Sequence, residues 1–215
     1  MDVNKVKKSP FREGDLRGQW KEAIINRLRS MNFASASQVK LLIDSSRRNY
    51  QVDQGEGRDF ICEMVARLCP GKSARPMADL IVRIVEKYFP ESEEKRTNFA
   101  DALLSYGVYH AEGMDYRDGE LLGCVADALL GHSDPIRDAD SFSSFIFIVT
   151  KHVFKGRLLE RSKEVAPFVA QAARAIFPGD KPEQKKLANA FAFKASDYLD
   201  VAAFKQLAHE LIDNG

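Results

Sequence analysis

The sequence has little cysteine and lacks the short motifs of the common catalytic sites. Its three cysteines, Cys62, Cys69 and Cys124, form no CxxC pair, which indicates reduced thiols in a cytosolic or nuclear protein. No HExxH, GxGxxG, GxSxG or GxxxxGK[ST] pattern is present, and these patterns would indicate a zinc protease, a dinucleotide site, a hydrolase or a phosphate loop. We therefore expect a protein that is not an enzyme, has no cofactor and is cytoplasmic.

Long apolar runs are also missing. No stretch reaches the roughly 18 apolar residues that a membrane span needs. The first residues, MDVNKVKKSPFREGD, are basic but no apolar segment follows them, so they do not have the pattern of a secretory signal. We expect no membrane partner.

Histidines are few and scattered, so they do not suggest a metal site. The best cluster is His110, Glu112, Asp115, Asp118 and Glu120. It lacks the Asp-x-Asp-x-Asp-Gly spacing of a calcium loop. We interpret it as an acidic loop that leads into a helix, with no metal bound.

The net charge of +1 hides an uneven distribution. Residues 91–140 carry 4 Lys/Arg against 12 Asp/Glu, whereas residues 1–58 carry 12 against 7. A nucleic-acid groove usually needs clustered positive charge. An acidic middle between basic ends therefore favours a polar surface that faces a protein partner.

A wide apolar stripe marks one helical stretch and returns later in the chain. Met77 to Pro90 (MADLIVRIVEKYFP) has apolar residues at offsets 0, 3, 4, 7, 8 and 11, the spacing of one broad helix face. The same offsets recur 88 residues later in Val165 to Pro178 (VAPFVAQAARAIFP). A stripe this wide needs neighbours on both sides. We therefore predict stacked helix pairs, with these two as the inner helices of successive units.

The apolar periodicity predicts ten helices in all. Two helices per unit give roughly 43 residues per unit, within the about 40–47 residues of HEAT and armadillo repeats. We predict an all-α fold, a HEAT/armadillo-like stack of about five antiparallel helix pairs. Residues 14–215 are expected to form this single helical-repeat domain, and residues 1–13 a mobile basic tail.

Three segments need interpretation beyond the periodicity. Residues 45–57 (SSRRNYQVDQGEG) are polar and contain glycine, so we expect a loop. Residues 142–154 (FSSFIFIVTKHVF) are apolar and β-branched, but the lack of a partner strand favours a buried helix. The next helix is expected to run from Arg157 to Phe177.

Trp20, the only tryptophan, is predicted to be a core anchor.

The order of motifs over residues 39–160 resembles a known family of helical repeats. The order begins with an apolar-acid-Ser helix end (Val39 to Ser46), a long helix with a terminal aromatic (Leu80 to Phe89) and a charged entry into an apolar helix (Lys95 to Gly107). A helix with a cysteine before paired leucines (Leu121 to Leu130) and the segment from Gly156 to Glu160 complete it. It is similar to the middle domain of eukaryotic initiation factor 4G, whose small stand-alone relatives act as translation adaptors.

The resemblance implies a non-catalytic scaffold in translation or mRNA handling. Members of that family hold other translation factors, often a helicase, or RNA-bound proteins, and the resemblance implies that the binding residues of this chain lie on loops at one edge of the stack. By position, the implied contact residues are Arg47, Arg48 and Tyr50 on one loop, and Asp115, Asp118, Asp134, Asp138 and Asp140 on two others. Such a complex should dissociate as salt rises.

An RNA-binding helical protein is the alternative. It would use the cations of the N-terminal tail and of the 45–57 segment, which are Lys5, Lys7, Lys8, Arg47 and Arg48. Its affinity for RNA would fall steeply with salt.

Overall fold

The computed structural model describes residues 13–50, 55–109, 118–131 and 139–198, together with positions 201, 202, 205 and 209. Within these ranges every regular element is a helix, which confirms the predicted all-α fold. The helices are α1 (Glu13–Arg29), α2 (Ala36–Asn49), α3 (Gly55–Leu68), α4 (Ala74–Tyr88), α5 (Glu93–Tyr109), α6 (Gly119–Leu130), α7 (Ala139–Val153), α8 (Ser162–Ile176) and α9 (Lys181–Lys194). Positions 201, 202, 205 and 209 are helical as well.

The helices form two layers. The odd-numbered helices lie side by side in one layer, where α3 packs against α1 and α5, and α7 packs against α5 and α9. The even-numbered helices form the other layer, where α4 packs against α2 and α6, and α6 packs against α8. One cluster of buried apolar side chains runs through the stack from Ile25 in α1 to Ala195 after α9. This is the arrangement of a helical repeat stack, in which each helix packs mainly against helices one or two positions away.

Helices α4 and α8 end in the same way, which confirms the predicted repeat. Their last turns lead into Phe89 and Phe177, whose backbone angles are φ −129°, ψ 68° and φ −122°, ψ 67°. Seven residues further on, Arg96 and Gln184 each donate a side-chain hydrogen bond to the carbonyl of that phenylalanine. However, α6 lies between α4 and α8 in the layer. The two helices therefore belong to alternate units, and our expectation of successive units was wrong.

The turns after α3 and α7 repeat as well. Gly71 and Gly156, 85 residues apart, both have φ +73°. The next residue in each turn donates its N–H to the carbonyl two residues before the glycine, at 2.9 Å and 3.0 Å. A positive φ of this kind favours glycine because a Cβ atom would strain the backbone. The sequence repeat therefore preserves the turns as well as the apolar faces.

Side-chain caps begin three of the helices in the same way. The side-chain oxygens of Ser35, Ser92 and Asp180 each accept a hydrogen bond from the backbone N–H three residues on, at 3.2, 3.2 and 3.1 Å. These bonds satisfy backbone donors that have no partner inside the helix.

The expected loop over residues 45–57 is wrong at both of its ends. Helix α2 continues to Asn49 and α3 begins at Gly55. The reason is that Ser46 is fully buried, and its hydroxyl donates to the carbonyl of Gly57 at 3.1 Å. Because this hydrogen bond between the two helices satisfies the hydroxyl, a serine at this position does not indicate an exposed loop. Arg47 and Arg48 consequently lie on the last turn of α2.

The apolar segment over residues 142–154 forms a buried helix, as predicted. Its core side chains are Phe142, Phe145, Ile146, Val149 and Val153. The predicted start of the next helix was wrong, because residues 158–161 form turns and α8 begins at Ser162. Arg161 lies in those turns, pairs with Glu164, and places its guanidinium 5.1 Å from the ring centroid of Phe154.

Thr150 in α7 carries a buried hydroxyl that lacks a hydrogen bond to any described residue. The residue is 0% exposed, and its Oγ1 has no partner in the described part of the chain. A buried hydroxyl without a partner costs free energy because it has lost its bonds to water. Thr150→Val keeps the shape and removes that cost, so we expect the free energy of unfolding to rise by about 1 kcal/mol in urea titrations.

The matched control for this substitution is Thr97→Val in α5. The Thr97 hydroxyl donates to the carbonyl of Glu93 at 3.0 Å, so its removal should bring no gain. A loss of stability in Thr150→Val would contradict the expectation.

Candidate partner-binding surfaces

Consecutive helices run in opposite directions, so the connections alternate between two ends of the stack. Helices α1 and α3 run in the same direction, because Arg17 pairs with Glu56 at their starts and Arg29 donates to the carbonyl of Arg67 at their ends, both at 3.1 Å. We call the end with the connections at 30–35, 69–73 and 154–161 the first end. The opposite end, with the connections at 89–92 and 177–180, is the second end.

Arg47 and Arg48 lie at the second end, on the last turn of α2. The guanidinium of Arg47 lies 5.3 Å from the ring centroid of Tyr88 in α4, a cation–π contact. Arg48 is exposed and has no ion pair with any residue in the described ranges. The two arginines therefore present positive charge that no carboxylate in the described ranges pairs with.

Tyr50 follows them but lies in the core instead of on an exposed loop. It is 8% exposed, and its ring packs against Trp20 and Phe60 at centroid distances of 6.3 Å and 5.4 Å. The guanidinium of Arg17 lies 5.0 Å from the Tyr50 ring centroid. Trp20, which is half-buried, stacks on Phe60 at 5.1 Å and so anchors α1 to the core as predicted. This burial leaves little of Tyr50 for a partner to contact.

The structure separates the acidic residues predicted as contacts. Asp118 is at the first end, where its Oδ1 accepts from the N–H groups of Glu120 and Leu121 at 2.9 Å and 3.4 Å and so caps α6. Asp140 is in the first turn of α7, at the second end with Arg47 and Arg48. Asp115, Asp134, Asp138, Lys5, Lys7 and Lys8 lie outside the described residues.

Asp101, Ser105 and His152 form a polar cluster between α5 and α7. The carboxylate of Asp101 is 2.9 Å from Nδ1 of His152 and accepts from the Ser105 hydroxyl at 3.1 Å. Burial raises the pKa of Asp101, and the nearby His152 and the bond from Ser105 partly oppose that shift. Activation of a serine needs its hydroxyl bonded to the histidine. Here both groups bond to the carboxylate, so the cluster ties two helices together.

The cysteines are unreactive side chains that contribute to packing. Cys62 and Cys69 are 1% and 2% exposed, and burial raises the pKa of the Cys62 thiol and takes that of Cys69 to about 12. Cys124 is partly buried, and burial raises its pKa too. The thiolate is the reactive form of cysteine. All three side chains therefore stay protonated near neutral pH.

A basic cavity at the first end was missed by sequence reasoning. It has a volume of about 410 Å³ and lies between the α1–α2 and α3–α4 turns, with Arg29, Arg67 and Lys72 in its lining. Helices α2 and α4 have no acidic residue in their first turns. Cations at the ends of α1 and α3, followed by helices that begin without acidic residues, were the sequence pattern that could have indicated a basic site. The pairing of the two turns, however, depends on the fold.

The described ranges contain no group of three or more His, Cys, Asp or Glu side chains that could hold a metal ion. Within those same ranges, no helix has both the length and the apolar character needed to cross a membrane. Comparisons with protein-family models, with curated proteins and with solved structures find no match. The candidate surfaces are therefore defined by the geometry and charge of this chain alone.

Proposed function

We propose that this chain is a non-catalytic scaffold that binds another protein through charged side chains on its helix stack. The observation that carries the proposal is the repeat, which reproduces helix ends and turns across alternate units, as at Phe89 and Phe177. Stacked helix pairs give extended surfaces on which partners bind. The polar cluster at Asp101 has the hydrogen bonds of a structural link, which agrees with a scaffold.

Arg47 and Arg48 are the proposed contact residues at the second end. Arginine is enriched in protein interfaces, where its planar guanidinium pairs with carboxylates. The contact with Tyr88 holds Arg47 in place before binding, so less side-chain entropy is lost when a partner docks. Arg48 needs to break no ion pair with a described residue. We expect acidic groups of the partner to meet these two side chains.

Translation or mRNA handling is the proposed setting, and it rests on the resemblance to the middle domain of eukaryotic initiation factor 4G. On this proposal the partner is a translation factor or a helicase, and the complex forms in the cytoplasm. The α2 end with Arg47 and Arg48 falls within the segment that carries the resemblance, residues 39–160.

A capture experiment with the purified protein tests this function. The bait is incubated with cell lysate at low and high salt, with and without ribonuclease, and bound proteins are identified by mass spectrometry. We expect a translation factor or helicase that survives ribonuclease and is lost at high salt. Arg48→Glu should reduce recovery of that partner about tenfold, because a glutamate at this position would repel the acidic group that the arginine is proposed to bind.

Arg174→Glu is the matched control, since Arg174 is also an exposed arginine in the last turn of an even-numbered helix. This variant should capture as much of the partner as the unmodified protein does. Equal losses in both variants would argue against a specific site at Arg48. Loss of all bound protein after ribonuclease would favour the RNA-binding alternative and remove the scaffold proposal.

A further inference from the structure

The basic cavity at the first end has a fixed wall. Phe33 lies in the α1–α2 turn beside Ala34, which has φ +54°. Gln38 is 1% exposed and closes this turn, because its amide donates to the carbonyl of Leu28 at 2.9 Å and accepts from the N–H of Ala34 at 2.8 Å. A buried amide satisfied on both sides fixes the backbone around it. The cavity is therefore preorganised for a ligand.

Positive charge dominates the lining of the cavity. Among the described residues, Arg67 is the one of these three cations that forms ion pairs: it donates to both carboxylate oxygens of Glu22 at 2.7 Å and lies 3.8 Å from a carboxylate oxygen of Glu63. Arg29 donates to the backbone carbonyl of Arg67 at 3.1 Å, and Lys72 lies 5.0 Å from the ring centroid of Phe33. None of the described residues that line the cavity is acidic. Arg29 and Lys72 thus have charge available for an anionic group.

The rest of the lining distinguishes between anionic ligands. Apolar surface comes from Met31, Phe33, Leu68 and Pro70, which suits an aliphatic side chain beside a carboxylate. Proteins that bind single-stranded RNA combine cations with open aromatic faces on which bases stack. Here the face of Phe33 is occupied by Lys72, so the cavity offers no free stacking platform.

We propose that this cavity binds a short acidic segment of a partner protein in which aspartate or glutamate alternates with aliphatic residues. Arg29 and Lys72 receive the carboxylates, and Met31, Leu68 and Pro70 receive the aliphatic side chain. The site is at the opposite end from Arg47 and Arg48. It therefore adds a second contact to the scaffold and does not depend on which partner binds at the second end.

Fluorescence anisotropy with a labelled Glu-Leu-Glu-Leu-Glu-Leu peptide tests the site on the full chain. We expect saturable binding that weakens between about 50 and about 500 mM salt, as screened charges should. The matching peptide with glutamine in place of glutamate should bind at least about tenfold more weakly. Lys72→Glu and the double variant Arg29→Glu, Lys72→Glu should each weaken binding of the acidic peptide at least about tenfold, or about 1.4 kcal/mol.

Lys163→Glu is the control, because Lys163 is an exposed lysine at the same end, in the first turn of α8. It should change the affinity less than about twofold. Far-UV circular dichroism verifies the fold of each variant, and Lys72→Gln serves if the double variant does not fold.

Three results would overturn the proposal. The first is absence of saturable peptide binding, and the second is equal affinity in the Lys72 and Lys163 variants. The third is binding of a labelled eight-nucleotide oligouridylate that the Lys72 variant loses, which would assign the cavity to RNA. The scaffold function would still be supported after any of these results if Lys72→Glu retains the partner captured from lysate and Arg48→Glu loses it.

Discussion

Replacing Gly123 by alanine should lower the free energy of unfolding by about 3 kcal/mol, because α6 and α8 are too close for a side chain there. A Cβ atom at Gly123 would lie 2.5 Å from the carbonyl oxygen of Ala172 and 2.5 Å from Cβ of Ala175. Real Cβ atoms do not approach a backbone carbonyl so closely, so the helices must separate. The α6–α8 contact is the most extensive between helices in the stack, and separation exposes part of it.

Gly119, one turn earlier in α6, makes the same contact more tightly. An added Cβ would lie 2.0 Å from the carbonyl oxygen of Phe168, and the Gly119 N–H donates to the side chain of Gln171 at 3.1 Å. Gly119→Ala should therefore cost at least as much as Gly123→Ala. Against a total stability of about 5–15 kcal/mol for a typical domain, either change is a large loss.

Gly18→Ala is the control that separates this close approach from the general effect of glycine in helices. Gly18 lies within α1 and is exposed, and no described residue outside its own helix backbone has an atom within 4 Å of an added Cβ. Alanine there should raise the unfolding free energy by about 0.5–1 kcal/mol, because alanine is the better helix former. Urea titrations monitored by far-UV circular dichroism measure all three variants. Stabilisation of Gly123→Ala to the level of Gly18→Ala would show that the helices accommodate the methyl group.

Local patterns predicted the fold wherever one residue or one helix was enough. The stripe of α4, its return in α8 and the buried helix over residues 142–154 are each properties of one short segment. The predicted loop over residues 45–57 was wrong because the burial of Ser46 depends on a second helix. That hydroxyl is buried only because α3 brings the Gly57 carbonyl to it, and the partner lies eleven residues away on the next helix.

The candidate sites were harder to predict than the fold, since they depend on which turns meet. Arg47 and Arg48 were identified by sequence, but their place on a helix and the contact with Tyr88 were not. The basic cavity joins Arg29 and Lys72 from two turns that are not consecutive. No local spacing brings these residues together, because the packing of α1 on α3 sets their distance.

Truncation of Phe168 to alanine in α8 should cost about 4 kcal/mol. The side chain is 3% exposed, and its ring meets the ring of Phe154 at 5.4 Å in a near-perpendicular contact. The loss combines the burial of a large ring with the cavity that remains. Phe193→Ala is the control, because Phe193 in α9 is 79% exposed and its removal should change stability by less than about 0.5 kcal/mol.

The same variant reveals whether the stack unfolds as one unit, because Trp20 is the only tryptophan. It lies in α1, where it contacts Tyr50 and Phe60, far along the stack from α8. In a repeat stack, stability is set mainly by neighbouring units. Phe168→Ala should therefore shift the circular dichroism transition to lower urea while the Trp20 fluorescence transition shifts less. Coincident shifts would instead show that the continuous core couples α1 to α8 as one cooperative unit.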